Sequence, residues 1–337
     1  MSAAPASPSS PTPSSPSASS ASSASSPASP ASATAPASPS RTAAEIASQP
    51  ALWLRAERLA PGLAGLPAPG ERVAVTGCGT SWFMAQAYAA LREGAGLGET
   101  DAHAASQFPR GRSYDRVIAL TRSGTTTEVL ELLGALRGSV PTTALTADPS
   151  TPVMTAADEV VVLDFADEES VVQTRFATTA LVLLRAALAA RGPLPGVGSV
   201  ADAVRDCAAA LARPLPRAAL DADQLTFLGG GWTYGLAQEA ALKMREAACS
   251  WTESYPAMEY RHGPIAITAP GRVAWMFGPA PAGLAEDVAR VGGTFLDSQL
   301  DPLAELVRAQ RVAVARAEAA GFDPDTPRNL TRSVVLG

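Results

Sequence analysis

No two cysteines in this chain stand at CxxC spacing, and the total of three (Cys78, Cys207, Cys249) is odd. The pattern reads as reduced thiols in a cytosolic protein, with no metal site expected. Histidine is nearly absent, so any imidazole chemistry must use His103 or His262. No apolar run approaches the roughly 18 residues that a membrane span needs. Lys/Arg runs are missing too: 26 basic against 32 acidic residues leave a formal charge of −6. A membrane or nucleic-acid partner is therefore not expected. Residues 1–40 lack charge of either sign, being Ser, Ala, Pro and Thr after Met1. Such a segment cannot bury enough apolar surface to offset the entropy of ordering. It also lacks the charged and Leu-rich regions of a secretion signal, and it is expected to be a disordered tail.

The whole chain is 47% hydrophobic and 17% charged, and 337 residues suit two domains better than one core. From Arg41 the pattern alternates. "TAAEIASQPALWLRAERLA" reads as a helix pair broken at Pro50. "RVAVTGCG" is an apolar strand ending in glycines, and "SWFMAQAYAALRE" is helical. "RVIALT" is a strand, followed by the amphipathic "TTEVLELLGALR". "TTALTAD" and "EVVVLDF" are strands, and "TRFATTALVLLRAALAA" is a long helix. Buried strands alternating with helices predict an α/β fold with parallel sheets flanked by helices. The theme recurs in "QLTFLGGGWTYGLAQEAALKMREAACSW". At an offset of 152 (229 minus 77), Gly77, Gly79, Ala85, Gln86 and Ala89 fall on Gly229, Gly231, Ala237, Gln238 and Ala241. This predicts two copies of one α/β domain, over 41–194 and 195–337.

Between the second strand and its helix lies "TRSGTTTEV". A helix N-terminus offers unpaired N–H groups and a positive dipole end. Gly124 lets backbone amides approach, Thr121, Ser123, Thr125 and Thr126 add hydroxyls, and Arg122 adds permanent charge. The set suits a phosphate monoester. It is not a P-loop, since the GxxxxGK[ST] lysine is missing. Ordinary helix capping is the alternative, although one residue would serve for that. The matching loop of the second copy is "PAPAG", without hydroxyls. "TGCGTS", carrying Gly79, Thr80 and Ser81, is a second turn suited to a sugar. On the second-copy helix, Glu239, Lys243 and Glu246 stand at i, i+4 and i+7 on one face. They read either as a solvated salt-bridge face or as a site at the strand ends.

Taken in order, "GCGTS", "SGTTTE", "EESVVQT", "EAALKMRE", "EYRHGP" and "PRNLTRSV" resemble the sugar isomerase (SIS) family, from about Glu45 to Val335. The nearest patterns are the isomerase half of glutamine–fructose-6-phosphate aminotransferase and stand-alone amino-sugar-phosphate deaminase/isomerases of the tagatose-6-phosphate ketose/aldose isomerase type. The resemblance implies two tandem SIS domains, the first binding phosphate and the second carrying the catalytic helix and tail. It implies that Glu246 moves a proton between C1 and C2 of an open-chain sugar phosphate. Lys243 and Glu239 would support it, and His262 would assist ring opening from a neighbouring subunit of a homodimer. Val171 and Thr174 would join the substrate contacts.

Arg332 stands where the aminotransferase has a Schiff-base lysine. A guanidinium is a poor nucleophile, so no imine to the protein is expected, though Arg332 can stabilise charge. No glutaminase segment precedes the tail in this sequence, so glutamine-dependent amination is not expected. The implied activity is cytoplasmic, cofactor-free aldose–ketose isomerisation of a hexose- or hexosamine-6-phosphate, with deamination as for glucosamine-6-phosphate. Dehydration of N-acetylglucosamine-6-phosphate and a non-catalytic sugar-phosphate regulator are the alternatives.

Overall fold

The computed structural model describes residues 39–337. The tail read over residues 1–40 lies outside them, except for its last two positions. The described chain runs α1 (Arg41–Leu59), β1 (Val73–Gly77), α2 (Thr80–Gly94), β2 (Thr100–Ala104), β3 (Arg116–Leu120), α3 (Thr127–Leu136), β4 (Thr142–Thr146), α4 (Val153–Ala156), β5 (Glu159–Val162) and α5 (Arg175–Ala189). It continues through α6 (Val200–Ala212), α7 (Arg217–Asp221), β6 (Gln224–Gly229), α8 (Thr233–Ala248), β7 (Thr252–Pro256), β8 (Arg272–Phe277), α9 (Leu284–Arg290), β9 (Thr294–Leu296) and α10 (Pro302–Ala319).

The strands form two sheets, ordered β2-β1-β3-β4-β5 and β7-β6-β8-β9. Every pairing is parallel. Parallel sheets need both faces covered, and β1, β4 and β6 are buried at every position. The pleat divides their side chains. Val73 and Val75 enter the main core, which runs through α1, α2, α5, α8 and α10 to Leu225, Phe227 and Trp275 of the second sheet. Ala74, between the two valines, and Leu228, next to Phe227 on β6, face smaller cores on the outer sides. Helices α2 and α8 meet closely, because a Cβ at Gly235 would lie 2.4 Å from the Phe83 carbonyl oxygen.

Two expectations are corrected. Residues 41–59 form one helix with Pro50 inside it, not a broken pair. Proline removes the N–H that would donate to the Ile46 carbonyl one turn earlier. Gln49 replaces it, since its Nε2 donates to that carbonyl at 3.1 Å and to Gln310 Oε1 at 2.8 Å, while its Oε1 accepts from Thr178 at 2.7 Å. Burial of Ile46, Gln49 and Trp53 then holds the helix together. The sequence reading also has no strand over β2 or β7. Both are edge strands whose residues are mostly half-exposed and polar, so no apolar run marks them.

Replacing Gln49 by Ala leaves the Ile46 carbonyl and the Thr178 and Gln310 side chains short of partners. Chemical denaturation should show a loss of about 2–3 kcal/mol. Adding Pro50→Ala, which restores the missing N–H, should recover part of it.

Candidate active site

In the first sheet, chain connections leave β1 and β3 toward opposite sides, so a crevice opens beyond their carboxyl ends. A turn through Cys78 and Gly79 carries β1 into α2, and residues 121–126 carry β3 into α3. The first turn recurs after β6. Gly79 and Gly231 have φ of +53° and +55°, and a Cβ on Gly77 or Gly229 would strike residue i+4 at 2.6 or 2.5 Å. Both glycine positions are therefore steric requirements of the same turn.

A cleft of about 200 Å³ occupies the crevice of the first sheet. Gly79, Thr80 and Ser81 line it from one turn, and Thr121, Arg122, Ser123 and Thr126 from the other. Val171, Gln173, Glu246, Arg332 and Ser333 close it. Three hydroxyls of the second turn converge on one point. Ser123 Oγ, Thr125 Oγ1 and Thr126 Oγ1 lie 3.1, 3.0 and 3.3 Å from Ser333 Oγ of the C-terminal tail. They are not used as helix caps: Thr126, at the N-cap of α3, makes no side-chain capping bond, and the Thr127 N–H donates to Val334 O of the tail at 3.2 Å. Thr121 Oγ1 is buried without a partner.

Arg122 lines the cleft, but its guanidinium is engaged with the walls. It pairs with buried Glu168 at 3.4 Å and donates to Ser170 O, Val171 O and Arg332 O at 3.3, 3.3 and 2.9 Å. Burial pushes the Glu168 carboxyl above its usual range, against the pull of Arg122. Glu168 also caps α5, accepting from Thr174 Oγ1 at 2.8 Å and Arg175 N at 2.7 Å. Glu45 of α1 holds the adjoining segment through Glu169 N at 2.6 Å and the Ser170 hydroxyl. Arg332 pairs with Asp167 and donates to Glu168 O.

The face of α8 expected to be either solvated or functional is not solvated. Glu239 and Lys243 are fully buried, and Glu246 is one-fifth exposed at the cleft. Lys243 Nζ pairs with Glu246, lies 3.4 Å from Glu239 Oε1, and donates to Thr80 Oγ1 at 3.0 Å. Thr80 in turn lies 3.3 Å from Glu239 Oε1. Burial raises the Glu239 carboxyl to about 8 despite the nearby ammonium. Burial by itself would lower the Lys243 pKa, but Glu239 and Glu246 outweigh it and raise it. At neutral pH the ammonium is thus matched by Glu246, while Glu239 keeps its proton. Cys78, also in the cleft, is pushed up to about 11 by burial, which makes it a poor nucleophile at neutral pH.

Several expected site residues lie outside the cleft wall. Gly124 (φ +63°) shapes the turn, packing its open side against Thr151 rather than toward the cleft. Thr174 is buried on Glu168. His262 is exposed in a 3-10 turn after β7 and does not line the cleft. Gln173, Glu168 and Ser333 were not singled out in the sequence. Their only signal is membership of "EESVVQT" and "NLTRSV". A second cleft lies at the carboxyl ends of β6 and β8, lined by Trp232, Thr233, Gly278–Ala280 and four aspartates. No lining residue there has a buried polar atom without a partner, unlike Thr121 and Gln173 in the first. Among the described residues, no cluster of His, Cys, Asp and Glu is suited to a metal, and no helix is long and apolar enough to cross a membrane.

Glu239 releases its proton near 4.5 when unfolded and near 8 when folded. Between these values the folded state binds the extra proton, so stability should fall as pH rises from about 4.5 to 8. Glu239→Gln should flatten this slope in denaturation curves measured across that range. Lys243→Met, which strands two carboxyls, should cost about 3–5 kcal/mol above pH 8, measured the same way.

No family model matches the sequence. It is 26% identical over 295 residues to the glutamine–fructose-6-phosphate aminotransferase of Sulfurisphaera tokodaii, covering 79% of this chain and 50% of that protein. It is 28% identical over 320 residues to the same-named protein of Gloeobacter violaceus, covering 79% and 52%. The chain thus spans about half the length of the curated relatives it matches. In fold it is similar to glucosamine-6-phosphate deaminase of Thermotoga maritima (TM-score 0.74, 23% identity, 88% of this chain and all of that one). It is also similar to the C-terminal domain of glucosamine–fructose-6-phosphate aminotransferase of Francisella tularensis (TM-score 0.69, 20% identity, 86% and 99%). Shared sequence across about four-fifths of the chain, together with a shared fold, bears out the resemblance to the sugar isomerase (SIS) proteins that the motifs carry.

Proposed function

We propose that this protein is a phosphosugar isomerase acting on a hexosamine- or hexose-6-phosphate, with deamination of an amino sugar as its reaction. The observation that carries the reading is the convergence of three loop hydroxyls on one point, in the same cleft as a carboxylate paired to a buried ammonium. A tetrahedral phosphate presents several acceptor oxygens to donors arranged in this way, and the α3 N-terminus adds a favourable dipole. Ser333 occupies that point in the free protein, so the phosphate takes its place or shares its hydroxyl.

With the phosphate anchored there, Glu246 takes the proton from C2 of the open-chain aldose. The electron pair forms the C1–C2 double bond of an enolamine. Lys243, held by Thr80, stabilises the oxygen that gains charge at C1. Glu246 then returns its proton to C1 while a proton passes from the amine nitrogen to O1, leaving a hydroxyl at C1 and an imine at C2. Water adds to the imine, and ammonia departs with the proton balance unchanged. For a substrate with a hydroxyl at C2, the same steps give simple isomerisation. Arg332, at the cleft edge, adds positive charge near the reacting end. His262 of a second copy supplies the ring-opening proton transfer, which makes the working form a homodimer. In this reading the two sheets belong to two SIS domains, over 41–194 and 195–337, and the protein works in the cytoplasm.

A panel of hexose- and hexosamine-6-phosphates, incubated with the protein and followed by mass spectrometry, tests the reaction. Glucosamine-6-phosphate should lose ammonia and gain water. An unchanged mass with a new retention time would assign plain isomerisation, and loss of water from an N-acetylated sugar would assign dehydration. Glu246→Gln should lower turnover by a factor of at least about 10³ while phosphate-ester binding survives. Binding without turnover in the unaltered protein would favour a regulator.

A further inference from the structure

Gln173 lines the cleft, and its Nε2 is buried without a hydrogen-bond partner. The backbone around it is held on both sides. Val171 N donates to Asp325 O at 3.0 Å, and Val171 O accepts from Arg122 at 3.3 Å. Thr174 is tied to Glu168 through its hydroxyl at 2.8 Å, and Val172 is buried between them. The backbone on both sides of Gln173 is thus fixed, and its half-buried side chain carries an Nε2 that is itself buried and has no partner. A buried donor without a partner is costly, and an acceptor placed against it offsets that cost. The phosphate loop has hydroxyls of its own converging elsewhere, so the amide is surplus to phosphate binding.

We propose that Gln173 is a specificity-determining residue that donates a hydrogen bond to an oxygen of the sugar, a hydroxyl or carbonyl distinct from the phosphate. The inference rests on the phosphosugar reading above. A site built to hydrogen-bond one substrate oxygen rejects analogues lacking it strongly, because the buried polar group is again left unpaired. Gln173 therefore reads the substituent pattern of the sugar, whereas loop 121–126 reads the phosphate that such sugars share.

The test compares the unaltered protein with Gln173→Leu, which keeps the side-chain bulk and removes the amide. The probes are the sugar phosphate turned over best, its monodeoxy analogues, and inorganic phosphate as a competitive inhibitor. The proposal expects kcat/KM for the full substrate to fall about 100-fold or more in the variant. Inhibition by inorganic phosphate should stay within about twofold, and Tm should be unchanged or higher, since an unpaired buried amide has been removed. One deoxy analogue should be as poor for the unaltered protein as the full substrate is for the variant, and the variant should not distinguish the two. Undiminished kcat/KM in the variant overturns the proposal. So does a lowered Tm with equal losses on every analogue, which marks a structural amide, and so does lost phosphate inhibition, which assigns Gln173 to the phosphate. An unaltered protein that turns over no sugar phosphate and is unaffected by phosphate overturns the phosphosugar reading together with this one.

Discussion

The Lys243 ammonium is the charge around which the cleft is organised. It is fully buried, and it is tolerated because Glu246 pairs with it, Thr80 accepts from it and Glu239 lies behind it. An isolated charge at that depth would be very costly. Its partners come from both halves of the chain: Thr80 starts α2 beside the first sheet, whereas the glutamates and lysine lie on α8 of the second. The close meeting of α2 and α8 at Gly235 therefore does more than pack helices. It brings a second-sheet carboxylate, Glu246, to the mouth of a first-sheet crevice.

A second polar network fixes the opposite wall. Arg122 and Glu168 neutralise each other in the interior, and their remaining hydrogen-bonding capacity is satisfied by the segment 170–175 and by the tail carbonyl of Arg332. Glu45, far away in sequence, anchors the same segment from α1. Arg122 is thus a tie between loop, wall and tail, with its charge already balanced. In the proposed reading, anion attraction in the cleft falls to the loop hydroxyls, the α3 N-terminus and the groups around Lys243. The C-terminal tail belongs to this wall too, since Ser333 and Val334 bond directly to the loop and first turn of α3.

Much of this was legible along the chain. The glycines of the two strand–helix turns, 152 positions apart (229 minus 77), mark steric requirements, and they adopt matching backbone angles in both places. Buried apolar runs located β1, β3, β4, β6 and β8 because parallel strands are covered on both faces. The polar edge strands β2 and β7 carried no such signal. Pro50 misled for a physical reason, because the rule that proline breaks a helix assumes that the carbonyl it strands has no other donor, and here Gln49 supplies one. Ser333, Glu168 and Gln173 could not be singled out, since a serine, a glutamate or a glutamine in a loop gains meaning only from what surrounds it.

The sequence by itself determined the alternation of strands and helices, the repeated glycine turn, and the confinement of the hydroxyl-rich loop to one of its two copies. These follow from periodicity and steric demand, which act over a few residues. Only the tertiary structure decided that the α8 charges are buried rather than solvated, that Arg122 is neutralised, and that the tail reaches the loop hydroxyls. Those outcomes depend on desolvation and on partners remote in the chain, 46 residues away for Arg122 and Glu168, 163 for Lys243 and Thr80 and 210 for Ser123 and Ser333, and local spacing carries no information about either.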